Sequence, residues 1–278
     1  MKPIVRKYSE NEWEFIFPSE IDNESVYNKY SEALELLDYD DSTAENKFKV
    51  LIEKYPYYID AYNHLSLAFK NQNKRFESYL TAEKSYLIGK ECLPKKFKII
   101  SDKLIWSNLN NRPFLRSCRI FGMECQDREE YDKAIQLYDE VLSFNENDNQ
   151  GVRFLKLECL LATKQYSAAN ELISKYADSH SIEFSFGKVA LEIIEGHNEN
   201  AIKYLKIATK VNSFLPEEII KEKHKVPPPH RIPGEPYFDA GIPIGSIQEA
   251  YEYWSRNKAL YKIKKIIDFY KGIFSAQN

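Results

Sequence analysis

One pattern recurs along the chain and constrains it more than any other feature. Ala44, Phe48, Leu51 and Pro56 stand 4, 3 and 5 positions apart. The same offsets give Ala82, Tyr86, Gly89 and Pro94, then Ala134, Tyr138, Val141 and Glu146. They recur at Ala169, Ile173, Tyr176 and Ser181, and at Ala201, Leu205, Ala208 and Ser213. Steps of four and three place residues on one face of an α-helix. Alanine in the first place lets a second helix come close, and the larger residue one turn later fills the space beside it. Proline, or a polar residue in its place, closes the helix. Copies in phase predict an all-α chain of paired helices that bury their apolar faces by stacking.

The partner helices are less regular. Residues 61–69, AYNHLSLAF, suit a first helix, and Gly122 precedes Ala134 by twelve positions, where a small residue lets two helices touch. GVRFLKLECLLATKQY and EFSFGKVALEIIEGH are apolar with helical period, and Gly196, five before Ala201, marks a turn between paired helices. SVYNKYSEALELLDYDD supplies the first unit. The repeat alanines are 38, 52, 35 and 32 residues apart, against an ideal of about 34. The long interval therefore holds an insertion around KKFKIISDKLIWSNLNN, read as an extra amphipathic helix with Ile99, Leu104 and Trp106. Seven prolines and three glycines between Pro216 and Ser246 exclude a continuous helix there. An ordered loop is expected, laid over the last repeats to cover Tyr237, Phe238 and Ile242. Ser246 with Glu249 three residues on reads as the start of one or two capping helices. The expected organisation is an N-terminal segment (1–24), helical repeats (25–213), a Pro-rich loop (214–245) and a C-terminal helical cap (246–278).

The spacing resembles the second helix of tetratricopeptide repeats, A-x3-F-x2-A-x4-P, over about residues 25–213. That resemblance implies an α-α solenoid, a superhelix of helical hairpins whose first helices line a concave groove for a protein or peptide segment. A narrower resemblance is to a helical solenoid module found in many bacterial proteins. It pairs RP-[FY]-[LM]-R with N-x-NDNQG-[VI]-R and a later G-S-x-x-E-A-x-x-Y. The matching residues are Arg112, Pro113, Phe114, Leu115 and Arg116, then Asn145 and residues 147–153, then Gly245, Ser246, Glu249, Ala250 and Tyr253. Glu146 stands where that module has proline, which softens the helix stop. This resemblance implies a fold and no particular activity.

Composition narrows the function classes. The chain has 278 residues, 43% of them hydrophobic, enough to bury a continuous core. Charged residues make up 29%, yet the net charge is -3, which argues against a general nucleic-acid binder. No apolar run reaches about 18 residues, so no membrane span is expected. The stretch MKPIVRKYSENEWEF lacks the apolar core of a signal peptide, and a cytoplasmic location is expected. Cys92, Cys118, Cys125 and Cys159 form no CxxC pair and read as buried thiols of a reducing compartment. Cys118, flanked by Arg116 and Arg119, is the one candidate for an activated thiol. The histidines fit no metal-binding spacing, His224 and His230 around KVPPP coming nearest to a pair. P-loop, GxGxxG and GxSxG are absent. No cofactor or metal is expected, and the aromatic residues fall mostly at helical spacing, as core packing requires.

Two stretches remain, NRPFLRS (111–117) and NDNQGVR (147–153). Asn111 suits a helix N-cap and Pro113 the first turn. Asp148 or Asn149 caps the next helix, and Gly151 permits close packing. Arg112, Arg116, Asp148, Asn149 and Arg153 are read mainly as ties between adjacent repeats. The rival reading is a binding groove formed by the first helices, presenting Asp60, Asn63, Lys70, Arg116, Arg119, Met123, Phe154, Glu158 and Phe186. Arginines beside an aromatic ring suit a peptide carboxylate. The expected function is a non-catalytic protein-interaction scaffold. Its rivals are an enzyme or enzyme-regulating subunit with a pocket closed by the Pro-rich loop around His230 and Asp239, and a homo-oligomer whose concave face holds a second copy.

Overall fold

The structure is a computed structural model and describes residues 1–37, 39–176, 180–229 and 241–275. Among them are fourteen α-helices, one short 3-10 turn and one two-stranded hairpin. The chain divides into two compact units, Met1–Lys156 and Leu157–Asn278.

The first unit contains β1 (Ile4–Lys7), β2 (Trp13–Ile16), α1 (Glu24–Leu34), α2 (Asp41–Lys54), α3 (Ile59–Asn71), α4 (Arg75–Cys92), α5 (Arg112–Asp127) and α6 (Tyr131–Phe144). The helix α7 (Val152–Ala162) begins within it. Each helix from α1 to α5 packs on the next, and α3 also touches α5. Ala44, Ala134, Ala169 and Ala201 are all fully buried.

The turns set the register of the pairs. Asn73, Glu129, Lys164 and Gly196 all have left-handed φ, between 59° and 90°. After each, the next backbone N–H reaches back five residues, as from Lys74 to Phe69 and from Glu130 to Cys125. The residue five positions beyond the turn is Ala134, Ala169 or Ala201, but in α4 it is Ser78. The expected second copy, starting at Ala82, is therefore one turn out of register. The helix α4 has 18 residues and buries both Ser78 and Ala82, so the pattern fits either. Gly122 holds its expected place: a Cβ there would lie 2.5 Å from the Tyr138 ring. A Cβ on Gly89 would overlap the Phe114 ring.

The inserted helix expected around residues 95–111 is not formed. One i−4 bond forms, from Asp102 N–H to the Lys98 carbonyl, but it does not propagate, and the backbone after it turns to other elements. Lys103 N–H donates to the Asn11 carbonyl, Leu104 N–H to Phe144, and Trp106 N–H to the Asn145 side chain. Leu104 is buried, whereas Ile100 is exposed, so the apolar residues share no helical face. Lys103 pairs with the N-terminal hairpin through both backbone groups, donating to Asn11 and accepting from Trp13. There, Trp13 and Phe15 of β2 alternate with Glu14 and Ile16 and point inward, against Phe97 and Phe114. The segment 1–24 is thus partly β-structure packed on helices.

The second unit contains the rest of α7, then α8 (Tyr166–Lys175), α9 (Ile182–Glu195), α10 (Asn198–Val211), α11 (Leu215–Ile220), α12 (Ile247–Arg256), α13 (Lys258–Tyr261) and α14 (Lys264–Ser275). The apolar helix α9 is its centre and packs on α8, α10, α12 and α14. Ser246 accepts from Glu249 N–H and caps α12. Three helices, not one or two, close the end. The expected Pro-rich loop contains α11, whose first N–H groups bond to the Asn212 side chain. Asn212 also donates to Ser246 O and Glu249, joining α10, α11 and α12. Ile242 is half exposed and so is not covered as expected, and Tyr237 and Phe238 lie outside the described residues.

Candidate functional site

Arg112, Arg116, Arg119 and Met123 follow at steps of four, three and four on α5 and form one stripe, which continues to Asp127. Arg116 forks onto Asp60 of α3, with Nε donating to Oδ1 at 3.0 Å and an Nη donating to Oδ2. Lys70 donates to Asp127 at 2.7 Å and lies 3.5 Å from buried Glu124. The two pairs occur in the same order along both helices, so α3 and α5 lie parallel.

A polar network supports the Asp60 end. Asn63 donates to Asp60 at 3.0 Å and to the Pro113 carbonyl at 2.9 Å, and accepts from Ser85 at 2.7 Å. His64 Nδ1 sits 2.9 Å from both the Asp60 carbonyl and the Tyr30 hydroxyl. Burial lowers the His64 pKa, which keeps the ring neutral. Arg112 donates to the Trp106 carbonyl, and Arg112 and Arg116 lie 5.0 and 5.9 Å from the Trp106 ring centre. Between these tied ends stands half-buried Arg119. Among the described residues its guanidinium has no hydrogen-bond or ion-pair partner, and its Nε is buried.

The second motif closes on itself. Asp148 accepts from Val152 N–H at 2.8 Å and Arg153 N–H at 3.1 Å, and its carboxylate also pairs with the Arg153 guanidinium at 2.8 Å. Arg153 therefore makes a local contact within its own helix start. Asn149 is exposed and accepts from Asn145. Asn111 does not cap α5 with its side chain. Its amide instead clamps β2, accepting from Phe15 N–H and donating to Trp13 O.

The groove candidates separate. Lys70, Arg119 and Met123 are partly exposed on α3 and α5, and Phe154 is partly exposed beneath the Arg153 guanidinium. Asn63 and Phe186 have no exposed surface, contrary to the expectation that they face a groove. Asn63 is consumed by its network, and Phe186 lies in the core of α9. Glu158 is also buried, 3.0 Å from Arg256. Phase alone cannot distinguish a helix face turned to solvent from one covered by another element.

Burial pushes the Cys92 and Cys125 thiols up to about 11 and 12, and Cys118 upward too, the reverse of an activated nucleophile. His224 bonds Glu218 at 2.8 Å and stacks on Trp254. His230 and Asp239 lie outside the described residues. Glu192, Glu195 and His197 are spaced for a cation, but the Lys188 ammonium lies 2.9 Å from Glu192 and takes that charge.

No family model matches the chain, and no curated protein is significantly similar to it.

Sequence reasoning missed the contact between Ser66 and Ser78. The Ser66 hydroxyl donates to the Ser78 carbonyl, and the Ser78 hydroxyl, with one proton to give, lies 2.9 Å from the Ser66 carbonyl and 3.0 Å from buried Glu124. The available signal was two small polar residues twelve apart, at the places where Gly122 and Ala134 stand in a later pair.

Proposed function

We propose that the protein is a non-catalytic interaction scaffold, a tetratricopeptide-like solenoid of helical hairpins, in which the stripe of α5 beside α3 holds a protein segment bearing a carboxylate. Unpartnered Arg119 carries this reading. Its buried Nε has given up hydration without a replacement among the described residues, and an incoming carboxylate supplies one. Its neighbours on the stripe are already committed, Arg116 to Asp60 and Asp127 to Lys70. Met123 adds an adaptable apolar contact. A short segment held in this way binds in the micromolar range, about 8 kcal/mol.

Selection from a displayed peptide library tests the proposal. Wild-type protein enriches peptides with a carboxy-terminal or side-chain carboxylate, and Arg119→Ala loses that enrichment while keeping its helical spectrum. Enrichment without acidic preference, or no enrichment, contradicts it.

A further inference from the structure

Where the chain leaves β2, a cavity of about 450 Å³ opens between the β2–α1 connection, the first turn of α1, the residue before α3 and the turn before α5. That size falls within the range of small-ligand sites. Its walls include the rings of Phe17, Tyr27 and Tyr58 and the side chain of Leu109. Its charged groups are Asp22 and Glu24, and among the described residues no Lys, Arg or His lines it. Neither carboxylate has an ion-pair partner among the described residues.

The walls are fixed by the fold. Asn23 caps α1 and donates to the Ser19 and Glu20 carbonyls, holding the connection that carries Asp22. Asn111 anchors β2 to the start of α5. The Tyr58 ring packs 5.4 Å from Tyr30, centre to centre. Tyr27, by contrast, is 63% exposed and leaves its ring open to a ligand. Burial, and after it the nearby carboxylates of Asp60 and Asp22, raise the Tyr58 pKa, so its hydroxyl keeps its proton.

Aromatic rings and carboxylates without counter-charges attract the same chemistry, a cation. The α1 N-terminus contributes only about half a positive charge, and Asn23 already occupies it. Two full carboxylate charges outweigh it, which disfavours an anion. We propose that this cavity binds a small organic ammonium ion, with its charged head at Asp22, Tyr27 and Tyr58 and an apolar stem against Phe17 and Leu109. The site is separate from the Arg119 stripe, whose preferred ligand has the opposite charge.

Calorimetric titration of the full chain tests this with butylammonium, with choline, and with the uncharged carbon analogue of choline in which a tert-butyl group replaces the trimethylammonium head. Saturable binding of either ammonium ion is expected, with the neutral analogue at least about tenfold weaker than choline. Asp22→Asn and Tyr27→Ala each weaken the ammonium ion by about threefold or more, with unchanged thermal melts because both positions are exposed. Equal affinity for the neutral analogue, no saturable heat from either ammonium ion, or wild-type affinity in both variants overturns the proposal. N-acetyl-lysine amide serves as the peptide arm. Its binding supports the site as a receptor for a lysine side chain, and its failure beside a bound alkylammonium supports a free amine as the ligand.

Discussion

Arg116 of α5 and Asp60 of α3 form a two-pronged ion pair, and the same carboxylate accepts from Asn63. Removing Arg116 leaves a buried carboxylate with too few donors. Arg116→Ala is therefore expected to destabilise the chain by about 1–3 kcal/mol in denaturant melts. Arg116→Lys should recover only part of this, because an ammonium cannot fork. The double variant with Asp60→Asn should lose less than the sum of the single losses. Arg153, bound to Asp148 five residues before it, is different. Asp148→Ala, which removes the cap, should cost about 1–2 kcal/mol, and Arg153→Ala less.

Close helix approach at Ala134 and Gly122 supports a packing prediction. Ala134→Leu overfills a fully buried place and should cost about 1–3 kcal/mol. Gly122→Ala should also destabilise, because its Cβ would press on the Tyr138 ring. Unchanged melting midpoints in both variants would contradict the assigned pairing of α5 with α6.

Glu45 gives a pH-dependent test. It accepts from Lys49, Lys74 and Gln72 at 2.5, 2.6 and 2.8 Å. Burial alone would raise its pKa, but the three donors outweigh burial and hold it at about 2, below its ordinary 4.5. A carboxyl lowered in the folded state stabilises the fold above its ordinary value and loses that contribution as pH falls through the folded one. Glu45→Gln should therefore be less stable than wild type by about 1–2 kcal/mol near neutrality, allowing for the exposed lysine ends. The gap should close between pH 4.5 and about 2. Urea midpoints across that interval measure it, and a constant gap would exclude the mechanism.

Tyr270 carries a fully buried hydroxyl that has no hydrogen-bond partner among the described residues. Tyr270→Phe removes a desolvated polar group and leaves the ring packing intact. Its melting temperature should equal or exceed that of wild type. A clear loss would show that the hydroxyl has an internal partner.

The helices were legible because alanine, larger apolar residue and turn recur at spacings that only a helix satisfies. The register of α4 was not, because Ser78 and Ala82 both fit a close helix contact, and only the left-handed turn at Asn73 decides between them. The segment 95–111 misled through its apolar residues, since its backbone partners are as distant in sequence as Asn11 and Phe144. The hairpin left a short local signal, the alternation from Trp13 to Ile16, beside a much stronger helical one. At the site, phase placed Arg116 and Arg119 on one stripe. The partner of Arg116 and the lack of one for Arg119 depend on α3 lying alongside, which spacing within α5 does not encode.

The most direct measurement is calorimetric titration of a selected acidic peptide into wild type, Arg116→Ala and Arg119→Ala, each with a parallel thermal melt. Arg119→Ala should melt like wild type and bind at least about tenfold more weakly, as expected on losing a charge-assisted hydrogen bond. Arg116→Ala should melt lower, and its folded fraction should bind nearly as wild type. Undiminished binding by Arg119→Ala, or lost binding by an equally stable Arg116→Ala, would contradict the assignment of Arg116 to the scaffold and Arg119 to recognition.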